Sequence, residues 1–472
     1  MYFSYDSRVA SVSRIEREVK LESKEGLALE RLGGEPLERR SFVSTYHDTP
    51  DRLLERCGIT MRRRLENGRN EWQLKLPVDG ARREVEALGA PSAPPAEITE
   101  LLAAFLHRRE LVALATLRTL RDGVLVRAET GIAEVVIDDV AVLDGQRVTG
   151  TFAEVEIELI AGDSRALRSV ERAVKRLGAR RTDGRTKIAR ALGVSELPTR
   201  RPKSDSERIR LYFAQRYVDL LAADPGIRLG ADAEPVHDLR VAVRRLRAVL
   251  RAARELFSRE WAESLHEELD WLGRSLGPLR DLDVLSQSLR VESDALGEAD
   301  RAVLAPVFAA LDGDRAAARA EALAALGSER YFALLEVLAA PPQFAEAGGG
   351  LRMVAAAELK KLRKTMRAAD ANASDEVLHK ARIRAKRIRY LGETLGDRRV
   401  VRRAKGFQDV VGEHQDAVVA EQWLRTLAER VPEAALTLGV LIERQHERRR
   451  RTRDDLPRSW KRLRRAAAVA WA

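Results

Sequence analysis

The chain has 472 residues, of which 45% are hydrophobic and 33% are charged. A chain of this length is expected to hold more than one domain, each with a core of its own. The net charge of +11 favours a polyanionic partner, such as nucleic acid, polyphosphate, a nucleotide or an anionic membrane surface. Aromatic residues make up only 5% of the chain, which disfavours single-stranded nucleic acids, because proteins usually bind these by base stacking.

Cysteine content and hydropathy indicate which structural features the protein lacks. Cys57 is the one cysteine of the chain, which excludes an intramolecular disulfide and a zinc site made of cysteines. Residues 1–6 lack the basic and apolar regions of a signal peptide, and no run of about 18 apolar residues occurs. The sequence therefore predicts a cytoplasmic protein without a membrane-spanning helix.

Alternating charged and apolar residues are typical of the first 200 positions. In the stretch 16–20, Glu16, Glu18 and Lys20 share one face of a β-strand, and the apolar neighbours lie mostly on the other face. The same alternation recurs in a basic stretch, 61–65, and in an acidic stretch, 154–159. Acidic and basic strands in one small domain predict a closed β-barrel with charged inner walls. Such an interior would bind metal ions through its carboxylates and a polyanion through its cations.

Composition changes near residue 200. Residues 197–206 are rich in proline and charge and read as a linker. The residues after the linker are dominated by Ala, Leu, Arg and Glu, which predicts an all-α domain of packed helices. Within the first domain, helices are predicted at 97–107 and at 164–177. The predicted boundaries are thus 1–196 for the first domain, 197–206 for the linker and 207–472 for the second domain.

The helical part contains an internal repeat. Residues 237–247 match residues 379–389 position for position, with a histidine at the start and basic residues at the same spacing. A second shared element follows each copy, at 276–281 and at 411–416, and each ends in aspartate. Two matches in the same order predict a duplicated unit with pseudo-twofold symmetry.

Each copy of the repeat carries a one-sided row of cations. At about 100° per residue, His237, Arg240, Arg244, Arg247 and Arg251 fall on one helix face. Solvated helix faces usually mix both signs of charge, because oppositely charged residues one turn apart attract each other. An unmixed basic row therefore predicts an anion-binding surface.

These motifs resemble the CHAD domain over roughly residues 205–472. The resemblance implies two four-helix bundles around a basic central groove that binds inorganic polyphosphate. The matching positions are His237, Arg240, Arg244, Arg245, Arg247, Arg280, His379, Arg382, Lys386, Arg387, Arg389 and His414. The second copy has Gln415 where the first has Arg280, which predicts a less basic groove on that side.

The first domain resembles the CYTH domain, or triphosphate tunnel fold, over residues 10–195. The resemblance rests on the Glu-x-Glu-x-Lys run at 16–20, Arg62 and Arg64, Lys75, Glu84, Thr186-Lys187 and the acidic run at 154–158. It implies an α+β domain with an eight-stranded antiparallel barrel and flanking helices, whose members hydrolyse or cyclise triphosphates with Mg²⁺ or Mn²⁺. CYTH followed by CHAD is a known pairing.

Residue chemistry assigns roles within the predicted barrel. Carboxylate oxygens are the ligands that hard divalent cations prefer, and the candidates are Glu16, Glu18, Asp138, Glu154, Glu156 and Glu158. Cations would bind the phosphate oxygens, and the candidates are Lys20, Arg62, Arg64, Lys75, Arg82, Arg118, Arg121 and Lys187. The residues expected to act in catalysis are Glu16, Glu18, Lys20, Lys75 and Glu156. Arg118 and Arg121 are three residues apart, so one of them faces outward unless the strand is bulged.

The sequence predicts a metal-dependent triphosphatase joined to a polyphosphate-binding helical module. Metal-activated water would convert tripolyphosphate to pyrophosphate and phosphate. The alternatives are a binding scaffold without activity, targeted to polyphosphate granules, and an adenylate cyclase or thiamine triphosphatase in the same barrel. The expected partners are tripolyphosphate or a nucleoside triphosphate and long-chain polyphosphate, not a membrane or nucleic acid, and a homodimer stays open.

Overall fold

The computed structural model describes residues 12–23, 27–78, 80–193, 202–346, 350–369 and 373–471. The chain divides into two compact units, residues 1–199 with 224–229, called the sheet unit, and residues 200–223 with 230–472, called the helical unit. Residues 197–201 of the predicted linker lie outside the described residues, and a helix that begins at Asp205 takes in its last two positions. The predicted domain boundaries stay predictions.

The sheet unit is antiparallel throughout. Among the described residues its strands are β1 (Val12–Glu16), β2 (Glu18–Glu22), β3 (Glu35–Pro36), β4 (Arg40–Asp48), β5 (Thr60–Glu66), β6 (Arg69–Val78), β7 (Ala81–Leu88), β8 (Val112–Ala128), β9 (Gly131–Asp144), β10 (Arg147–Gly162) and β11 (Arg180–Arg181). Its helices are α1 (Leu53–Arg56), α2 (Ala96–Leu101), α3 (Ala103–Leu106), α4 (Ser164–Arg176) and α5 (Lys187–Ala191), with a 3₁₀ turn at Leu29–Leu32. The helix predicted at 97–107 is thus split in two, whereas α4 ends one residue before the predicted end.

The strand order differs from the predicted eight-stranded closed barrel. The sheet runs β1-β7-β6-β5-β4-β8-β9-β10-β2-β11, with β3 on β8, so its hydrogen-bonded path is open. The strand count rises because Arg17 divides the first predicted strand and because β3 and β11 are two-residue ladders. β1 pairs with β7, and β2 pairs with β10. The N-terminal stretch therefore contacts strands from both ends of the path.

One face of β8, β9, β10 and β2 forms an apolar core with α4. Ala133, Val135, Val155 and Ile157 are fully buried there and pack against the helix. Asp163 caps α4 by accepting hydrogen bonds from the backbone N–H groups of Arg165 and Ala166. The apolar residues of these strands thus occupy the outer face of the sheet, which leaves the charged residues on the inner face.

A smaller apolar cluster holds α5 against the inner side of the sheet. Ile188 packs with Tyr46, Leu117 and Val140. Thr186 caps the helix by accepting a hydrogen bond from the backbone N–H of Ala189. This packing fixes the start of α5, and with it Lys187, beside the inner face of β9.

The remaining helices belong to the helical unit, apart from residues 224–229 at the end of the first of them, which belong to the sheet unit. They are α6 (Asp205–Leu229), α7 (Glu234–Ala252), α8 (Arg259–Ser275), α9 (Gly277–Ser293), α10 (Glu298–Val303), α11 (Ala305–Leu326), α12 (Glu329–Ala339), α13 (Leu351–Arg367), α14 (Asp375–Leu395), α15 (Arg398–Arg430) and α16 (Ala435–Trp471), with 3₁₀ turns at Arg254–Leu256 and Pro432–Ala434. The repeated motifs lie on α7 and α14, which contact each other. Among the described residues, no helix is both long and apolar enough to cross a membrane. The arrangement as two four-helix bundles stays a prediction.

Replacing Ile157 by alanine tests the core under α4. Ile157 is fully buried, whereas Ile160 on the same strand is 52% exposed. We expect Ile157→Ala to lower the free energy of unfolding of the sheet unit by about 2–4 kcal/mol, because it leaves a cavity. Ile160→Ala should lower it by less than about 1 kcal/mol. Urea unfolding followed by far-ultraviolet circular dichroism measures both, and equal losses would contradict this packing.

Candidate functional site

A charged cavity lies on the inner face of the sheet unit. Its volume is about 140 Å³. Of the predicted residues, those that line it are Glu16, Lys20, Arg62, Arg64, Lys75, Arg82, Arg121, Glu156, Glu158 and Lys187. Period-two alternation explains this, since residues that alternate along one strand share one face.

Arg118 and Arg121 are separated by the same alternation. Leu117 and Thr119 are buried and Arg118 is exposed, which places Arg121 on the inner face together with positions 117 and 119. Arg121 Nε lies 2.7 Å from Asp138 Oδ1, and its Nη2 lies 2.6 Å from Glu156 Oε2. Arg121 therefore belongs to the cavity, and Arg118 lies outside it without a bulge between them.

The acidic residues fall into two groups. Asp138, Glu154 and Glu156 form the first group, in which one carboxylate oxygen of each lies within 4.8 Å of the others. Asp138 and Glu154 are directly paired across β9 and β10, which explains their proximity. This group, called the carboxylate triad, is the set of residues that fits a divalent cation.

The second acidic group surrounds Lys75. Lys75 Nζ lies 2.5 Å from Glu16 Oε2 and 3.5 Å from Glu84 Oε1. Burial, together with the neighbouring carboxylate of Glu16, raises the pKa of Glu158 to about 7. Glu16 and Glu158 therefore lie apart from the carboxylate triad, and the six predicted metal ligands do not form one cluster.

Glu18 lies outside the carboxylate triad. Like Asp138 and Glu154, it is not among the residues that line the cavity, and its carboxylate lies 3.5 Å from Lys20 Nζ. Arg17 separates β1 from β2, so Glu16 and Glu18 pair with strands at opposite ends of the sheet path. That interruption could not be read from the alternation of charges.

Lys187 occupies the centre of the carboxylate triad. Its Nζ contacts Asp138 Oδ2 and lies 3.2 Å from Glu154 Oε1 and 3.1 Å from Glu156 Oε1. Burial alone would lower the pKa of Lys187, but Glu156, Asp138 and Glu154 raise it overall. The ammonium group therefore neutralises the same oxygens that would bind a metal ion.

The donor set of the triad fits a hard divalent cation. All three ligands are carboxylates, and Glu154 Oε1 is buried without a well-directed hydrogen bond. Lys20 is also close, with Nζ 2.6 Å from Glu156 Oε1. Such a cation and Lys187 would compete for the same negative charge.

The opposite wall of the cavity carries an excess of cations. Arg62 donates to Gln73 Oε1 at 2.7 Å and lies 3.4 Å from Tyr46 Oη. Burial, together with Arg62, Arg121 and Arg40, lowers the pKa of Arg64 to about 9. Among the described residues, Arg64 and Arg82 have no carboxylate within ion-pair distance, so an arriving phosphate group would relieve their repulsion.

Several cavity residues were not predicted from the sequence. The cavity also exposes Arg14, Arg40, Tyr46, Thr60, Glu84, Glu134, Ile160 and Thr186. Arg14 lies in the middle of β1 and Arg40 begins β4, and neither belongs to a dense charged motif. Their signal was strand phase alone, because Arg14 alternates with Glu16 and Arg40 pairs with Arg121 across β4 and β8.

In the helical unit, α7 and α14 bury their apolar faces as predicted. Leu239, Leu246 and Ile388 are fully buried. Arg240 Nη2 lies 3.5 Å from Asp281 Oδ1, and Arg382 Nη2 lies 3.2 Å from Asp416 Oδ1. Each copy of the repeat therefore places its first arginine against its own aspartate.

Gly277 permits the first of these contacts. A Cβ atom on Gly277 would lie 3.0 Å from Arg240 Nη1, closer than ordinary contacts. On Gly412 it would lie 3.7 Å from Arg382 Nη2, which is an ordinary contact. A side chain at the shared glycine would therefore require the end of Arg240 to move by a few tenths of an ångström in the first copy, whereas the second copy has room for it.

Arg240, Arg244, Arg280, Arg382 and Lys386 together are called the central basic surface. Three of them, Arg244, Arg280 and Lys386, form its uncompensated part. Among the described residues, these three have no carboxylate within ion-pair distance. Arg244 Nε and Arg240 Nη1 are buried without a hydrogen-bond partner. Burial, together with Arg382 and Arg244, lowers the pKa of Lys386 to about 7. Crowded cations with unmet donors favour an anionic ligand.

The other predicted arginines of the two motifs are already paired. Arg245 lies 3.4 Å from Glu393, Arg387 lies 3.6 Å from Glu358, and Arg389 lies 3.0 Å from Glu393. Arg247 contacts Asp270. The sequence pattern did not show these pairs, because their acidic partners come from other helices or the next helical turn.

The three predicted histidines have different surroundings. His237 is half-buried, and burial together with Arg280 lowers its pKa. His379 is exposed, with Nδ1 3.1 Å from Gln415 Oε1. His414 is only 2% exposed, and its Nε2 lies 2.8 Å from Asp375 Oδ1. The buried ring and its bond to Asp375 favour a structural role for His414, and its predicted contact with polyphosphate stays a prediction.

Comparison with known proteins agrees with these two parts. A CYTH domain profile matches residues 14–192, and a CHAD domain profile matches residues 211–425. Two uncharacterized proteins of Mycobacterium tuberculosis, MT2285 (strain CDC 1551 / Oshkosh) and Rv2226 (strain ATCC 25618 / H37Rv), are each 31% identical over 469 residues, covering 90% of both chains. The chain therefore belongs to the family of proteins that join a CYTH domain to a CHAD domain.

Two solved structures show weaker likeness. PptA from Streptomyces chartreusis is 24% identical with a TM-score of 0.44, covering 54% of this chain and 99% of that chain. The CHAD domain from the plant Ricinus communis is 23% identical with a TM-score of 0.44, covering 58% and 98%. TM-scores of this size assign no further property to the chain. CYTH domains are typically metal-dependent triphosphatases or cyclases, and CHAD is a family of polyphosphate-binding domains.

Removing the Lys187 ammonium group tests its competition with a metal ion. We expect Lys187→Met to bind Mn²⁺ at least about tenfold more tightly, because a unit charge at this distance is worth more than 1 kcal/mol. Lys175→Met is the control, since Lys175 pairs with exposed Glu171 on α4. Isothermal titration calorimetry measures both affinities. Unchanged or weaker Mn²⁺ binding by Lys187→Met would contradict the competition.

Proposed function

We propose that the sheet unit hydrolyses inorganic tripolyphosphate to pyrophosphate and phosphate, and that the helical unit binds long-chain inorganic polyphosphate. The observation that carries the first part is that Glu156, one member of the carboxylate triad, lines the same cavity as a row of cations. Tripolyphosphate is a small anion that needs both features, because its oxygens bind cations and its charge attracts a metal ion.

Each wall of the cavity has its own task. Asp138, Glu154 and Glu156 would hold a Mg²⁺ or Mn²⁺ ion, which would neutralise phosphate oxygens and activate water. On the opposite wall, Arg62, Arg64 and Arg82 bind and orient the phosphate groups. Arg64 and Arg82 can bind phosphate oxygens without first breaking an ion pair, because among the described residues they have no carboxylate within ion-pair distance.

Lysines complete the charge balance during hydrolysis. A water oxygen forms a bond to the terminal phosphorus while the bond to the bridging oxygen breaks, and pyrophosphate leaves. Lys20 and Lys187, already paired with Glu156, lie where they can turn from the carboxylate to phosphate oxygens. Cations placed in advance stabilise the charge that develops on the leaving group. Lys75 holds Glu16 and Glu84 in place, which keeps the second acidic group from repelling the substrate.

The proposal for the helical unit rests on its uncompensated cations. Among the described residues, Arg244, Arg280 and Lys386 have no carboxylate within ion-pair distance, whereas Arg245, Arg387 and Arg389 each have one. Arg240 and Arg382 can exchange their aspartates for phosphate oxygens. The central basic surface therefore offers a row of donors to a flexible chain of phosphates, and the paired arginines serve to hold the helices together.

Replacing Glu156 by glutamine tests the catalytic assignment. We expect Glu156→Gln to reduce metal-dependent phosphate release from tripolyphosphate by about 100-fold or more, because it removes one ligand of the triad and the shared partner of two lysines. Glu18→Gln is the matched control on the neighbouring strand and should reduce the rate by less than about tenfold. A larger loss in Glu18→Gln than in Glu156→Gln would contradict the site.

Charge reversal tests the central basic surface. Arg244→Glu with Lys386→Glu should weaken binding of long-chain polyphosphate by about 100-fold and leave tripolyphosphate hydrolysis unchanged. Arg330→Glu is the control, because Arg330 forms an exposed pair with Glu268 on the surface of the helical unit. Fluorescence anisotropy with labelled polyphosphate measures the affinity. If the control weakens binding equally, the surface is not specific.

The lowered pKa of Lys386 predicts proton uptake on binding. With a pKa of about 7, Lys386 is mostly neutral at pH 8, and a nearby phosphate restores its charge by raising the pKa. Polyphosphate binding at pH 8 should therefore take up about 0.9 proton, which declines toward pH 6 as the free lysine becomes charged. Calorimetry in buffers of different ionisation enthalpy measures this uptake. Lys386→Met should abolish it, and undiminished uptake in that variant would assign the proton to another group.

A further inference from the structure

The last turns of α16, after Asp454 and Asp455, carry cations and no acidic residue. The sequence from 457 to 472 contains no aspartate or glutamate. Its basic side chains are all exposed, namely Arg458, Lys461, Arg462, Arg464 and Arg465. None of them forms an ion pair with another described residue. This end of the helix therefore presents only positive charge.

The preceding part of the same helix is different. Arg448 pairs with Glu413 at 2.8 Å, Arg449 with Asp375 at 2.6 Å, and Arg451 with Glu447 at 2.9 Å. Arg450 also lies 3.0 Å from both Glu443 and Glu447. Arginine is therefore compensated as far as residue 453 and uncompensated from residue 458 onward, so the change is not a property of arginine-rich helices in general.

Two neighbouring helices continue the uncompensated charge. The first turns of α15 carry Arg398, Arg399, Arg402, Arg403 and Lys405. The last turns of α13 carry exposed Lys360, Arg363, Lys364 and Arg367. The one acidic residue in α13 is Glu358, which is 1% exposed and bonds to Lys361 at 2.6 Å.

Side-chain contacts place these three segments side by side. The Trp471 indole donates to Asp397 at 2.6 Å, and the rings of Trp460 and Phe407 lie 5.9 Å apart. Arg352 donates to the Ala470 carbonyl at 2.9 Å. The two contacts of α15 show that it runs antiparallel to α16, and α13 contacts the C-terminal end of α16 through Arg352. The cations of 360–367, 398–405 and 458–465 therefore lie on α16 and on two helices that contact it, and together they are called the outer basic surface.

The shape of the outer basic surface favours a wide polyanion. Helices packed at 8–10 Å give three neighbours a width of about 20 Å, and each charged segment is about 10 Å long. Duplex nucleic acid presents two phosphate strands on either side of a groove about 12 Å wide, so it reaches cations on more than one helix.

Side-chain chemistry agrees with contacts to a phosphate backbone. Trp471 is 6% exposed and Trp460 stacks on Phe407, so neither offers a platform for bases of single strands. Lysine and arginine suffice for a duplex, where phosphate contacts supply most of the sequence-independent affinity. The scarcity of aromatic residues therefore argues against single strands and leaves duplexes open.

We infer that the outer basic surface binds the phosphate backbone of double-stranded nucleic acid without sequence preference. This binding is separate from the polyphosphate site on α7 and α14, and it does not depend on hydrolysis in the sheet unit. The full chain would thereby hold polyphosphate and a duplex on different faces of the helical unit.

Matched arginine pairs on α16 test the inference. Arg458→Gln with Arg465→Gln removes two uncompensated charges, and Arg450→Gln with Arg451→Gln removes two compensated ones. A labelled DNA duplex of about three turns is titrated with the full-length variants at several salt concentrations. We expect the outer pair to weaken binding about tenfold or more and to reduce the slope of log affinity against log salt by about 1.8. The compensated pair should change affinity by less than about twofold.

Competing ligands distinguish the outcomes. Long-chain polyphosphate binding and the thermal melting curve should be unchanged in the outer pair, which shows an intact helical unit. Equal effects of the two pairs would overturn the inference. Duplex binding that is lost instead in Arg244→Glu with Lys386→Glu would overturn it too, because it would place the duplex on the central basic surface. If anionic vesicles, and not the duplex, respond to the outer pair, the partner is a membrane and the inference is wrong.

Discussion

Burial of opposite charges on the inner face of the sheet is the constraint on which the cavity depends. A charged group removed from water costs free energy unless it has a partner. Lys187 meets this requirement for three carboxylates at once, and Arg121 bridges Asp138 and Glu156. The apolar residues of the same strands pack outward on α4, so the sheet places its hydrophobic core outside and its ions inside. The inner face therefore already carries cations that can bind phosphate and carboxylates that can bind a metal ion.

The helical unit follows the same constraint with a different result. Arginines that lie between helices have carboxylate partners, as Arg387 has in Glu358. Arginines and lysines for which the described residues provide no carboxylate partner lie on the central basic surface and on the outer basic surface. The presence or absence of a carboxylate partner therefore distinguishes the cations that hold the helices together from those available to a ligand, even where both kinds lie in the same sequence motif.

Sequence periodicity predicted much of this arrangement. The inward phase of Lys20, Arg62 and Arg64 follows from alternation along single strands, and the buried faces of α7 and α14 follow from helical spacing. Alternation also placed one of Arg118 and Arg121 on the outer face, but it left open which one. The triad needed more, because Asp138 meets Glu154 and Glu156 only through the register of β9 on β10. The position of Glu18 outside the triad follows from the strand break at Arg17. The burial of His414 follows from its contacts with Asp375 on α14 and Thr452 on α16, and the predicted roles of both residues stay predictions. These features depend on tertiary contacts, which no local pattern contains.

The central claim is that the sheet unit is a metal-dependent hydrolase of tripolyphosphate. The most direct measurement is phosphate release from tripolyphosphate and from ATP by the full chain, with Mg²⁺, Mn²⁺ or EDTA. The account predicts rapid release from tripolyphosphate with a divalent metal, much slower release from ATP, and none with EDTA. Polyphosphate binding without release from either substrate would contradict it, since the cavity would then bind anions and perform no chemistry.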